Sequence, residues 1–316
     1  MRVLFLGSPE FAVPSLKALL DSSGYEVTGV ITQPDRKAGR GHRLTPPPVK
    51  VVASEFGIAV HQFSRIRNNP QVSELLLQQK PEMMVVVAFG QILPPEFFEF
   101  PPYGTLNVHA SILPKYRGAA PVAHAILNGE TETGVSIMRI DEGMDTGDVL
   151  TQKTIPISDS VTTGELETVL ASEGASLLMD TIDGYLSGRI GLKPQSQEGV
   201  SYAPRISKND ARISWNEAAS KVHDLVRAMN PWPCAFTLFR DQKLKIWKTS
   251  ETEEPVGIVQ DLPSGAIVDV SGGRVVVRCA DSSHLNLLTL QLPNRRRVSA
   301  VDFVNGTQLR AGELLV

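Results

Sequence analysis

This 316-residue sequence predicts an α/β fold: an open, mainly parallel sheet domain followed by a small β-barrel. Three observations carry that expectation. Apolar runs rich in β-branched residues alternate with helix-length segments as far as residue 189, the rhythm of βαβ units around a buried sheet. A polar, Gly- and Pro-bearing stretch with little periodicity then runs to residue 208, and short strand-like runs dominate beyond it.

In chain order, residues 3–6, 27–32, 83–89 and 105–108 read as strands, with helices over 15–20, 48–56 and 71–79. Pro14 stands where a helix start tolerates proline. Residues 134–140 and 148–157 read as further strands and 163–186 as a long helix. The expected division is a domain over 1–189, a linker over 190–208 and a second domain over 209–316. In that second domain the pattern predicts a helix over 215–229 and strands at 235–239, 243–247, 266–270, 274–278 and 285–292, which a small barrel accommodates economically. Gly272-Gly273 is a hairpin signal between two of these strands.

Composition excludes several classes. Cys234 and Cys279 lie 45 residues apart with no Cys/His cluster, which argues against a disulfide scaffold or a metal site and fits the reducing cytoplasm. The apolar run at 3–6 is too short for a signal peptide, and no stretch approaches membrane-spanning length. Net charge is −3; residues 1–208 hold 18 basic and 22 acidic side chains, and residues 209–316 hold 13 and 12. A polyanion would therefore be gripped by local patches rather than by the global field.

Residues 104–121, "GTLNVHASILPKYRGAAP", begin as a buried strand and end in a segment that can be neither strand nor helix. Alternation puts Asn107 and His109 on one face of that strand, at its carboxyl end, where open α/β sheets bind ligands. The acidic loop "DEGMDTGD" (141–148) fails as a calcium loop, because position twelve is Gln152 rather than Glu, yet a carboxylate here could orient an imidazole. The loop "PDRKAGRGHR" (34–43) collects Arg36, Lys37, Arg40, His42 and Arg43 directly after a strand, as a solvated turn or a phosphate grip would. "LGSPEF" (6–11) has one glycine and supports no dinucleotide site.

Together "NVHASILPKYRGAAP", "GMDTGD", "AFGQILP" (88–94) and "SYAPRISKNDARISW" (201–215) resemble the folate-dependent formyltransferase family, and within it the branch that formylates methionyl-tRNA. The resemblance runs nearly end to end. It implies a Rossmann-like first domain, an OB-like second domain that helps hold tRNA, 10-formyltetrahydrofolate as formyl donor and initiator methionyl-tRNA as acceptor. It also implies catalytic roles for Asn107, His109 and Asp145, a folate contact at Ser111, Ile112, Leu113 and Pro114, and a pterin pocket from Gln91, Ile92, Leu93 and the loop that starts at Asp141. The basic insertion carrying Arg36, Lys37, Arg40 and Arg43 corresponds to the family's acceptor-end contact, Arg40 foremost. No membrane partner is implied, and a monomer is expected.

In the second domain, "RDQKLKIWK" (240–248) and "NRRR" (294–297) concentrate cations. Alternation places Lys243, Lys245 and Trp247 on one face and Leu244, Ile246 and Lys248 on the other. With Arg295 and Arg296, Lys243 and Lys245 make a tRNA backbone track the expected role of this face. The alternatives are a formyltransferase for another amine, such as a nucleotide sugar, and a non-catalytic RNA-binding protein; the first leaves the basic loop and barrel without a use, and the second leaves the Asn/His/Asp set without one.

Overall fold

The apolar runs of the amino-terminal half are buried on both faces, which is what a sheet covered by helices demands of its strands. The computed structural model describes residues 1–38, 43–252 and 262–316. Seven strands form one sheet: β1 (Arg2–Gly7), β2 (Glu26–Thr32), β3 (Val60–Gln62), β4 (Met83–Val87), β5 (Thr105–His109), β6 (Glu132–Arg139) and β7 (Val149–Pro156), in the order β7-β6-β5-β4-β1-β2-β3. The strands β5, β4, β1, β2 and β3 are parallel, whereas β6 runs antiparallel between β5 and β7. A mainly parallel open sheet is thus present, with β3 as an addition that sequence did not signal. Its three residues, Val-His-Gln, are half-buried and form no apolar run.

The chain winds from β1 out to β3 and then returns to β4 on the opposite side of β1, so the topological switch lies between β1 and β4. The strand ends there are sewn together. Gln33 N–H donates to Ser8 Oγ at 3.0 Å, and Gln33 Nε2 donates to the Phe89 carbonyl at 3.2 Å. On β5, Val108 faces the helix Thr163–Leu186, where a Cβ at Gly174 would meet Val108 Cγ1 at 2.9 Å. Alternation then turns Asn107 and His109 to the opposite face.

By its contacts the chain forms two compact units. One comprises Met1–Pro121, Glu132–Pro156 and Glu167–Pro204; the other comprises Val122–Thr131, Ile157–Leu166 and Arg205–Val316. Within the first, Lys193 bridges to Val149, and Tyr202–Ala203 pair in parallel with Arg117–Gly118. Among the described residues no helix is long and apolar enough to cross a membrane.

The second unit holds β8 (Phe236–Phe239), β9 (Gln242–Thr252), β10 (Ile267–Asp269), β11 (Val276–Arg278), β12 (His284–Gln291) and β13 (Val298–Ser299), in the antiparallel order β8-β9-β12-β11-β10 with β13 paired to β12. The carboxyl-terminal residues join its two edges. Leu238 and Val316 exchange backbone hydrogen bonds of 2.7 and 3.0 Å, while Ile267 N–H donates to Glu313 O and Leu315 N–H to Gly265 O at 2.8 and 2.9 Å. Such closure removes exposed sheet edges. Leu315, only 3 % exposed, therefore plugs a seam. Leu315→Ala is expected to lower stability by about 2–4 kcal/mol in urea unfolding, as burial of a core leucine implies; a loss under about 0.5 kcal/mol would show that the seam is not a packed contact.

Three local expectations need correction. The helix expected over 215–229 covers only Ala219–Ala228, because Trp215 is buried with its indole N–H on Thr237 Oγ1 at 3.0 Å and Glu217 O accepts the Ala280 N–H at 2.9 Å. Lys248 does not join Leu244 and Ile246 in the core: the β9–β12 register shifts on both sides of Lys248, which resets the alternation and leaves it exposed. At Gly272-Gly273 the chain makes a one-turn 3-10 segment, Ser271–Gly273, with both glycines at positive φ (61° and 78°), so the hairpin is longer than a two-residue turn.

Candidate active site

The residues after β5 cannot continue a strand, and their backbone groups are taken up by side chains from β6 and β7. Ser136 Oγ donates to Ser111 O at 2.6 Å and accepts the Leu113 N–H at 3.1 Å, while Gln152 Nε2 donates to Leu113 O at 2.9 Å. Ser111 Oγ closes the turn on Lys115 O at 2.6 Å. Ser111 and Leu113 are buried, and Leu113 packs with Met138 and Val149. Ile112 and Pro114 are half-buried.

This anchored turn brings Tyr116 back over the strand it left. His109, 6 % exposed, has Nε2 at 3.0 Å from the Tyr116 carbonyl, which can only accept, so Nε2 carries the hydrogen. Its Nδ1 faces Asp145 Oδ2 at 3.6 Å, an ion-pair distance beyond hydrogen-bond length. The Gly118 N–H donates to that same carboxylate oxygen at 2.8 Å. Gly118 has φ 121° and lies against Ala203, whose carbonyl would meet a Cβ there at 2.8 Å, so this close approach requires glycine. Asp145 sits at φ 52°, and Gln195 Nε2 holds its loop through Asp145 O and Gly147 O at 2.8 and 2.7 Å. Arg117 Nη2 in turn donates to Gln195 Oε1 at 2.7 Å.

Asn107 differs from these neighbours. It is half-buried on the same face of β5 as His109, and among the described residues its side-chain amide has no hydrogen-bond partner. A fixed imidazole–carboxylate pair beside an uncommitted amide can bind and polarise an oxygen. The cysteines offer no rival nucleophile: burial pushes the Cys234 thiol up to about 11 and the Cys279 thiol up to about 12, so neither supplies thiolate.

The other sequence-derived residues have their own local settings. Gln91 uses its amide on the chain opposite, accepting the Ile66 N–H and donating to Phe63 O, both at 2.9 Å. Ile92 is 76 % exposed and Leu93 is buried among Phe89, Phe97 and Phe98. Asp141 Oδ1 accepts from Gly143 N–H at 3.1 Å and Thr146 Oγ1 at 2.7 Å, shaping the acidic loop from within and leaving Met144 60 % exposed. The basic insertion is a hairpin of Arg36–Ala38 and Arg43–Thr45 with Arg36 and Lys37 exposed; Arg40 lies outside the described residues.

In the second unit, Lys243 Nζ lies 3.4 Å from the Phe236 ring centre, Lys245 Nζ 5.6 Å from that of Trp247, and Arg297 Cζ 3.2 Å from Trp247. Burial, then nearby Lys245 and Lys208, hold the Lys243 ammonium below its ordinary range. Among the described residues no carboxylate pairs with Lys243, Lys245, Arg295, Arg296 or Arg297.

Sequence reasoning missed Tyr116 O, the Gly118 N–H, Gln195 and the Ser136/Gln152 pair. The run "YRGAAP" marks the turn, but nothing local indicates that Gln195, in the polar stretch, returns to hold it.

The family model described as Formyl transferase matches residues 1–182, and that described as Formyl transferase, C-terminal domain, matches residues 205–308. The two matches together define the chain as a formyltransferase. Methionyl-tRNA formyltransferase of Desulforamulus reducens is 42 % identical over 321 residues, covering 100 % of this chain and 98 % of its own. That of Synechococcus sp. (strain JA-3-3Ab) is 43 % identical over 315 residues, covering 99 % and 97 %. A solved sugar 3N-formyl transferase, WlaRD, crystallised with dTDP and 5-N-formyl-THF, shares the fold with TM-score 0.67 at 21 % identity, over 94 % of this chain and 99 % of its own. The chain belongs to the methionyl-tRNA formyltransferase family.

Proposed function

We propose that this chain transfers the formyl group of 10-formyltetrahydrofolate to the amino group of methionyl initiator tRNA, in the cytoplasm, with Asn107, His109 and Asp145 as its catalytic set. The observation that carries the catalytic reading is the juxtaposition of the uncommitted Asn107 amide with an imidazole whose Nδ1 faces a carboxylate at 3.6 Å. In the transfer the amine nitrogen bonds to the formyl carbon, the bond from that carbon to the folate N10 breaks, the amine loses a proton and N10 gains one. Asn107 donates to the formyl oxygen as it takes up charge. His109 adds an N–H through Nδ1, which the 3.6 Å gap leaves free of a tight hydrogen bond, and Asp145, fixed by Gly118, stabilises the charged ring and helps relay the amine proton. Two exposed apolar side chains, Ile92 and Met144, suit the flat face of a pterin, beside Gln91, Leu93, Asp141 and the 111–114 turn as walls of that pocket.

The acceptor class is supported by the cations of the second unit, Lys243, Lys245, Arg295, Arg296 and Arg297, with which no carboxylate pairs among the described residues. Arg36, Lys37, Arg40 and Arg43 would meet the acceptor end, and Lys243, Lys245, Arg295 and Arg296 would follow the phosphates. Neutralising those last four should weaken tRNA binding and make the slope of log K against log salt shallower by up to ~0.9 per lost phosphate contact. An unchanged slope in a folded quadruple variant would remove the barrel from the phosphate track. The function itself is tested by offering 10-formyltetrahydrofolate with charged initiator tRNA, charged elongator tRNA, free methionine and an amino sugar in parallel. Formylated initiator methionyl-tRNA as the dominant product is expected; preference for the amino sugar would overturn the reading.

A further inference from the structure

The basic hairpin is not simply appended to the sheet. Its root, residues 33–35, is held on one side by Gln62, whose Nε2 donates to Gln33 O at 2.9 Å and to Asp35 Oδ1 at 2.8 Å. Lys50 Nζ completes that side, donating to both Asp35 oxygens at 2.9 Å and to Gln62 Oε1 at 2.8 Å. With its backbone fixed in this way, the side chain of Gln33 spans two loops. Nε2 donates to the carbonyl of Phe89, in the loop that carries Gln91 and Ile92, and Oε1 accepts from Arg36 Nη2, in the hairpin, at 3.3 Å.

We propose that Gln33 is a positioning residue that couples the folate-facing loop to the tRNA-facing hairpin, so that occupancy of one substrate site aligns the other. This rests on the assignment of those two loops in the function proposed above. A primary amide suits the task, because it holds a donor nitrogen and an acceptor oxygen in one plane and each is used on a different loop. Movement of the Phe89 carbonyl reorients the amide and, through Oε1, Arg36; by reciprocity a tRNA-bound hairpin must favour the folate-bound loop by the same factor. Gln33 hydrogen-bonds to Ser8, Phe89, Arg36 and Gln62 and to none of Asn107, His109 and Asp145. Its role is therefore visible in the interaction between the two ligands rather than in either binding constant alone.

The test uses the full chain and measures the dissociation constant of methionyl initiator tRNA with and without saturating 5-formyltetrahydrofolate as a folate probe. For the parent the folate should tighten tRNA binding by ~5-fold or more, the lower end of ordinary site–site coupling. In Gln33→Met, which removes both arms, and in Gln33→Glu, which keeps an acceptor for Arg36 but loses the donor to Phe89, that factor should fall to about 1 while each ligand alone binds within about threefold of the parent. The glutamate variant keeps the test available if the methionine variant does not fold. A parent factor near 1, or variants that keep the parent factor, would overturn the coupling while leaving the functional reading intact. A parent that formylates no methionyl-tRNA in the same preparation would instead remove the functional reading and the coupling with it.

Discussion

Replacing Asn107 with alanine lowers kcat for formyl transfer by ~10²–10³-fold, the usual cost of one oxyanion donor, and leaves the unfolding midpoint where it was. The second half of that expectation comes from the side chain's isolation: among the described residues the Asn107 amide has no hydrogen-bond partner, so its removal strands nothing. His109→Ala should cost a similar ~10²–10³-fold in kcat. It should also lower stability, because His109 is buried and its Nε2 hydrogen bond holds Tyr116 O. Steady-state kinetics paired with thermal unfolding separate the two cases. An Asn107→Ala enzyme within about threefold of the parent, when tenfold already corresponds to ~1.4 kcal/mol, would remove this residue from the transition state.

Asp145→Asn comes next in expected effect, and it isolates charge from shape. The backbone at Asp145 has φ 52°, a region that Asn enters at least as readily as Asp, and an amide oxygen can still accept the Gly118 N–H. What disappears is the negative charge facing His109 Nδ1 at 3.6 Å. A loss of ~10²-fold or more in kcat is expected, within the range of general acid–base contributions, with KM for folate little changed. If instead KM rose steeply and kcat held, Asp145 would be a binding wall rather than the partner of the imidazole.

How far the fold could be read in advance depended on where the information lies. β1 and β4 stand out because both faces are buried, which leaves an uninterrupted apolar run in the sequence. The pairing of Asn107 with His109 follows from strand alternation alone. β3 escaped because a three-residue, half-buried edge strand leaves no pattern, and the seam made by residues 313–316 escaped because its partners, Leu238, Gly265 and Ile267, are distant in the chain. The same holds within the site. Asp145 is legible as an acidic loop residue, but the Gly118 N–H and Gln195 that fix it belong to contacts 27 and 50 residues away. Lys248 was misplaced because a bulge breaks the period on which the reading depended.

The central claim is that Asn107, His109 and Asp145 carry out the transfer. It is tested most directly by a single-turnover assay in which labelled formyl passes from 10-formyltetrahydrofolate to methionyl initiator tRNA. The parent chain is compared with a folded Asn107→Ala/His109→Ala/Asp145→Asn variant, both at saturating substrates so that binding is removed from the comparison. The account predicts a rate for the triple variant ~10²–10³-fold below the parent, with no further large loss beyond the worst single change, because the three act as one unit. A triple variant that transfers formyl within about threefold of the parent rate, a difference of well under ~1.4 kcal/mol, would contradict it.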